Sequence, residues 1–235
     1  MRIVDLAINT IKKNQKEFHH VVSFNPDTER LRQMNFTAGN NELTEDMLGN
    51  TEQFIRYINQ NLQKSGAKFG IGGYAEHRNI YSQSKVFDAA TANEEPRRLH
   101  LGIDIWGKPH TAVMAPLNGI VHSFAFNNNF GDYGTTIILA HFLEEVTFYT
   151  LYGHLSLNDI KNLNGGERIE KGEVFAEFGI PTDNGHWPPH LHFQVIIDLE
   201  NYKGDYPGVC SLSEKEKYLA NCPDPDLILQ MNKYL

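Results

Sequence analysis

Three short stretches put chemically capable side chains on the polar face of otherwise apolar, strand-like runs. In RRLHLGIDIW, Leu99, Leu101, Ile103 and Ile105 alternate with His100, Gly102 and Asp104, so a strand places the aliphatics on one side and the polar residues on the other. A straight strand separates residues four apart by about 13 Å, too far for His100 and Asp104 to share an ion. Gly102 signals a bend or bulge that brings them together. An imidazole nitrogen and a carboxylate oxygen suit zinc, which binds them at about 2.0 to 2.2 Å.

The second stretch is WPPHLHFQVI, where Leu191, Phe193 and Val195 share one face and His190, His192 and Gln194 the other. Both rings can hold one metal, or one can hold it while the other faces a bound water, and the spacing alone does not choose. In the third stretch, LYGHLS, His154 ends an apolar run directly after Gly153. Each motif by itself is compatible with an ordinary solvated strand face. Together they supply a three-ligand site with two spare imidazoles.

The elements that must carry these residues follow from periodicity. From Phe69 onward, β-like runs such as TAVMAPLNGIVHSFAF, YGTTIILAH, VTFYTLYGHL and GEVFAEFG alternate with Gly, Asn and Pro punctuation, which predicts an antiparallel, sheet-rich domain. Ile137 to His141 and Val146 to His154 read as a hairpin. Before them, Phe54, Ile58 and Leu62 recur at a spacing of four, with Asn50 or Thr51 to cap the start and Gly66 to end it, which predicts a helix. A shorter helix is expected near Ile3 to Ile11. The division expected is a helical appendage over residues 1–66 and a β domain over 67–235, whose Pro-, Asp- and Tyr-rich end wraps the surface.

HLGID, YGHLS and HLHF, in that order and with the phrases APLNGIV and KGEVFAEFG between them, resemble the lysostaphin and LytM-type zinc metallopeptidases, a family marked by H-x-x-x-D and a later H-x-H. The resemblance spans roughly Gly70 to Ile197. It implies a mainly β fold, a two-layer antiparallel sheet domain of the duplicated-hybrid-motif type with an open groove. It also implies one Zn2+ per chain held by His100, Asp104 and His192, with His154 and His190 as the catalytic imidazoles. The function implied is a zinc-dependent metalloendopeptidase acting on a peptide or muropeptide, by a water that zinc acidifies and that a histidine deprotonates. Which of the two histidines plays which part stays open.

Departures from the family pattern bear on the substrate. The relatives' short Ser-Thr-Gly phrase before H-x-H is replaced by TDNGHWPP, which brings His186 and Trp187 to the lip of the groove, with Trp187 expected to pack under the loop. Some relatives are latent because a preceding segment donates a polar ligand to zinc, and Asn35, Asn40 and Asn41 are the candidates for that role here. Arg78, Arg97 and Arg98 are read as solvated surface residues. A different class of function, a non-catalytic scaffold that binds or activates a partner, is disfavoured because such members lose metal ligands and all five positions are filled here. A biotinyl or lipoyl carrier needs a modifiable Lys where Leu117, Asn118 and Gly119 stand.

Composition sets the remaining bounds. The 235 residues carry 21 Lys plus Arg against 29 Asp plus Glu, and a formal charge of −8 makes nucleic acid an unfavourable partner. No run approaches the roughly 20 apolar residues of a membrane span. MRIVDLAINTIKKNQ lacks the uninterrupted apolar region of a signal peptide, so the chain as given reads as cytoplasmic, or as periplasmic or extracellular if translation begins upstream. Cys210 and Cys222 are expected to be structural thiols.

Overall fold

The computed structural model describes residues 3–89 and 94–235. Eight strands form the main sheet: β1 (Leu31–Met34), β2 (Phe69–Gly72), β3 (Ile103–Trp106), β4 (Gly119–Asn127), β5 (Gly134–Leu143), β6 (Val146–Leu155), β7 (Arg168–Ile169) and β8 (His190–Ile196). Their order is β1-β2-β3-β8-β6-β5-β4-β7, antiparallel throughout except for the parallel pair β1–β2 at one edge. The expected hairpin is β5–β6, closed by a tight turn at Glu144 and Glu145.

Alternation along the strands splits the sheet into two faces. Leu191, Phe193 and Val195 of β8 enter the main core with Ile103, Ile105, Ile137, Leu139 and Phe148. A second layer, the antiparallel pair Ala112–Met114 with Val174–Glu177, adds Val113 and Ala176 to that core. The opposite face carries His190, His192 and Gln194, all buried.

Helix α1 (Ile3–Lys13) buries Ala7 and Ile11 in the main core, beside Ile228, Leu229 and Met231 from the other end of the chain. Helix α2 (Thr51–Ser65) begins where Asn50 accepts a hydrogen bond from the Gln53 amide and ends at Gly66 in the left-handed conformation, φ 64°. Its Phe54 and Ile58 join Phe36 and Trp106 in a second cluster. The first 66 residues therefore do more than append helices: they contribute β1 to the sheet and one wall above its polar face. Strand β1 carries only one buried residue, Met34, in a polar run, so periodicity gave no sign of it.

Cys210 and Cys222 are buried free thiols in a third cluster, with Leu99, Leu101 and Tyr206. No helix among the described residues is long and apolar enough to cross a membrane.

Candidate metal centre

Strand pairing places the three motifs side by side. In the antiparallel register of β8 with β3, His192 lies opposite Asp104 and His190 opposite Trp106; with β6, His192 lies opposite Gly153. The expected break at Gly102 is present, since Leu99–His100 pairs with Val209–Cys210 while β3 pairs with β8 and β2. Gly102 also makes room: a Cβ there would lie 2.5 Å from His192 Cε1 and 2.8 Å from the Phe193 carbonyl oxygen.

His100 Nε2 lies 2.9 Å from His192 Nδ1, and Asp104 Oδ1 lies 3.1 Å from His192 Nδ1 and 3.2 Å from His100 Nε2. All three residues are buried. Hydrogen bonds on the far side of each ring settle the tautomers. His100 Nδ1 is 2.9 Å from the Gly73 carbonyl oxygen, which can only accept, so that nitrogen carries the hydrogen. His192 Nε2 is 2.9 Å from Gln194 Oε1, and the orientation of that amide is fixed by its NH2 donating to the Pro207 carbonyl at 3.2 Å.

Two bare imidazole nitrogens and one carboxylate oxygen therefore face one another with no hydrogen left to share. Three acceptors at such separations repel unless a cation lies among them. Burial and the nearby Arg78 charge push His100 down to about 4, which disfavours a proton on that ring. Tetrahedral zinc with bonds of about 2.0 to 2.1 Å would set its ligands about 3.3 Å apart, a few tenths of an ångström from what is present. The donor set fits that metal, with one nitrogen-carboxylate face built and each ring oriented from behind.

Burial raises Asp104, but His100 and Arg78 outweigh it and hold the carboxyl well below the usual carboxylate range. Arg78 is fully buried, not a solvated surface residue as its sequence context suggested. Its guanidinium donates to Asp104 Oδ2 at 2.5 Å, to Glu76 Oε2 at 2.7 Å, to the Tyr81 hydroxyl at 3.1 Å and to the Gly73 carbonyl at 3.2 Å. The Gly73 carbonyl thus ties Arg78 to His100 as well.

His154 and His190 flank the triad, their ring centroids 4.1 Å apart. An extra residue in β6 opposite β5 shifts the register there, and His154 takes a left-handed φ of 64°, which aims its ring across the sheet. His154 Nδ1 donates to the Asn184 carbonyl at 2.8 Å and His190 Nδ1 to the Pro188 carbonyl at 2.7 Å. Both rings therefore keep Nε2 as the basic nitrogen. His190 stacks on Trp106 at 3.8 Å. Burial, reinforced by neighbouring imidazoles, pushes His154 well below its ordinary value; burial brings His190 to about 4.

Residues 98–203 match the model of peptidase family M23. The match takes in His100, Asp104, His154, His190 and His192 and leaves more than half of the chain outside it. No curated protein sequence matches the chain. Among solved structures, a zinc-containing peptidase from Vibrio cholerae is 25% identical over 42% of this chain and 27% of its own, with a TM-score of 0.34. The catalytic domain of lysostaphin from Staphylococcus simulans is 17% identical over 69% of this chain and 97% of its own, with a TM-score of 0.39. Helicobacter pylori Csd3 is 23% identical over 53% of this chain and 32% of its own, with a TM-score of 0.34. The chain thus spans about a quarter to a third of the Vibrio cholerae and Helicobacter pylori proteins.

Around the candidate metal centre the structure departs from several sequence expectations. Asn40 is spent on the Asn35 carbonyl and the Tyr57 hydroxyl, and Asn35 accepts from Thr37, so these side chains serve their own loop rather than the metal centre. Trp187 is half-buried against Phe54, Tyr81 and His154, both packed and lining the site. Gln194 was already on the histidine face by alternation, whereas Arg78, in the loop GGYAEHR, carried no periodic signal at all.

Proposed function

We propose that this chain is a zinc-dependent metallopeptidase that hydrolyses a peptide bond in a short or peptidoglycan-type peptide. His100, Asp104 and His192 hold one zinc per chain in this reading, and His154 and His190 handle protons. The observation that carries it is the pair of bare imidazole nitrogens facing a carboxylate oxygen, each ring locked in the metal-binding tautomer by a partner behind it. Zinc supplies Lewis acidity there, polarising a carbonyl and lowering the pKa of water.

The chain's own groups do the rest. Burial keeps His154 and His190 neutral, so each begins as a base with Nε2 free to take a proton from the attacking water. Once protonated, the same nitrogen can donate to a developing oxyanion or return the proton to the leaving amine. Trp106 beneath His190 and the Pro188 carbonyl behind it fix the plane of that ring.

Metal analysis joined to hydrolysis assays tests the reading. The purified protein should hold about one zinc, His192→Ala should lose it, and His154→Ala should keep zinc while losing hydrolysis. Stoichiometric zinc in His192→Ala would sink the assignment. Zinc retained by the wild type with no hydrolysis across a peptide and muropeptide panel would favour the scaffold reading instead.

A further inference from the structure

We infer that the site is a blind pocket for peptides of a few residues entering end-on, and not a groove that a polymer lies across; this rests on the metallopeptidase reading. The family resemblance implied an open groove. Here Ile80, Tyr81, Val86 and Phe87 line the same pocket as His154, His190 and His192, and the segment that carries them is fastened on both sides.

On one side Ser84, 2% exposed, donates its hydroxyl hydrogen to the Phe130 carbonyl at 2.7 Å. The contact is close-packed as well as bonded: a Cβ on Gly131 would lie 2.5 Å from Ser84 Cβ, and Gly131, at φ 81°, has neither the space nor the conformation for one. The Phe130 ring then stacks on His186 at 5.6 Å, and the His186 carbonyl accepts from Thr51 at the start of α2 at 2.8 Å. Segment, turn and lip are joined there by contacts that a polypeptide backbone running through would have to break. On the other side the segment is joined to the chain around Cys210, because the Arg97 amide donates to the Phe87 carbonyl at 2.8 Å and the Arg98 amide to the Cys210 carbonyl at 3.0 Å.

What remains is a small pocket of ≈ 210 Å³ that opens to solvent, room for the residues next to a scissile bond while the rest of a short peptide projects from the mouth. At its floor His154 is 6% and His190 2% exposed. A substrate continuing in both directions from the scissile bond would have to pass through the Ser84–Phe130 junction. A short peptide would not. Tyr202 and Asp205 are the exposed residues of the lining and mark the mouth.

Calorimetric binding to the full-length, zinc-loaded protein tests this with two phosphinic peptides that share the same central dipeptide isostere. One ends a single residue to either side; the other extends five residues in both directions. The short probe is expected to bind at least about tenfold more tightly. Equal or tighter binding of the long probe would overturn the pocket inference and leave the metallopeptidase reading in place. Binding of neither probe, with zinc confirmed in the cell, would overturn both.

Discussion

Arg78 holds Oδ2 of Asp104 at 2.5 Å, while Oδ1 of the same carboxylate faces His100 and His192. One oxygen is thereby engaged by a buried cation of the chain, and the other is left, in the proposed reading, for the metal. This division prevents the carboxylate from turning both oxygens toward one ion, and it sets the geometry of the whole triad from behind.

Arg78→Met should destabilise the zinc-free protein by about 3 to 5 kcal/mol, the range for stripping one partner from a buried ion pair. With zinc bound the loss should be smaller, because the metal neutralises the carboxylate that Arg78 has abandoned. Thermal unfolding of both forms checks this. A loss of equal size with and without zinc would show that Arg78 acts through Glu76 and Tyr81 rather than through Asp104.

Gln194 acts in the same way on His192. Its carbonyl oxygen takes the Nε2 hydrogen and leaves Nδ1 bare. Gln194→Met keeps the shape and removes the acceptor, so zinc affinity should fall about 10- to 100-fold, read by competition with a chromogenic chelator. Unchanged affinity would mean that Tyr133, whose hydroxyl lies 3.3 Å from the same nitrogen, suffices to orient the ring.

Gly102→Ala tests whether the break in the strand exists for the histidine. The added methyl would meet the His192 ring at 2.5 Å and a backbone oxygen at 2.8 Å. The ring must move or the strand must, at a cost of about 1 to 3 kcal/mol. Both the melting temperature and the zinc content should drop. A variant that melts lower but keeps stoichiometric, tightly bound zinc would place the strain in the backbone alone.

How much of this was legible beforehand follows from what each residue is ordered by. His100, Asp104, His190 and His192 lie in alternating runs, and alternation is a local property that pairs a polar face with an apolar one. A different local pattern, apolar residues every four positions between capping residues, found α2 and its Asn50 and Gly66 ends. Arg78 and Ser84 lie in loops, where partners are fixed by distant segments: Asp104 is 26 residues away from Arg78, and Phe130 is 46 away from Ser84. No local pattern encodes such pairings. Strand β1 was hidden for a related reason, since an edge strand with one buried side chain has little periodicity to read.

His141 offers a pH dependence away from the metal centre. It is buried between β4 and β6, with Nδ1 donating to the Asn118 carbonyl at 3.0 Å and Nε2 facing the Thr150 hydroxyl at 2.6 Å. Burial pushes it down to about 4 from an ordinary 6.5, although the Asn118 carbonyl works the other way. Below pH 6.5 the unfolded chain therefore binds a proton at this position that the folded chain refuses. Stability present above pH 6.5 is lost as the pH falls from there through about 4, by on the order of 3 kcal/mol in total. His141→Gln keeps a donor and an acceptor but cannot titrate. Urea unfolding of the variant and the wild type at pH 7.5 and pH 5 should give a smaller drop for the variant. An equal drop would assign the acid sensitivity to the metal-centre histidines, and zinc should then suppress it in both proteins.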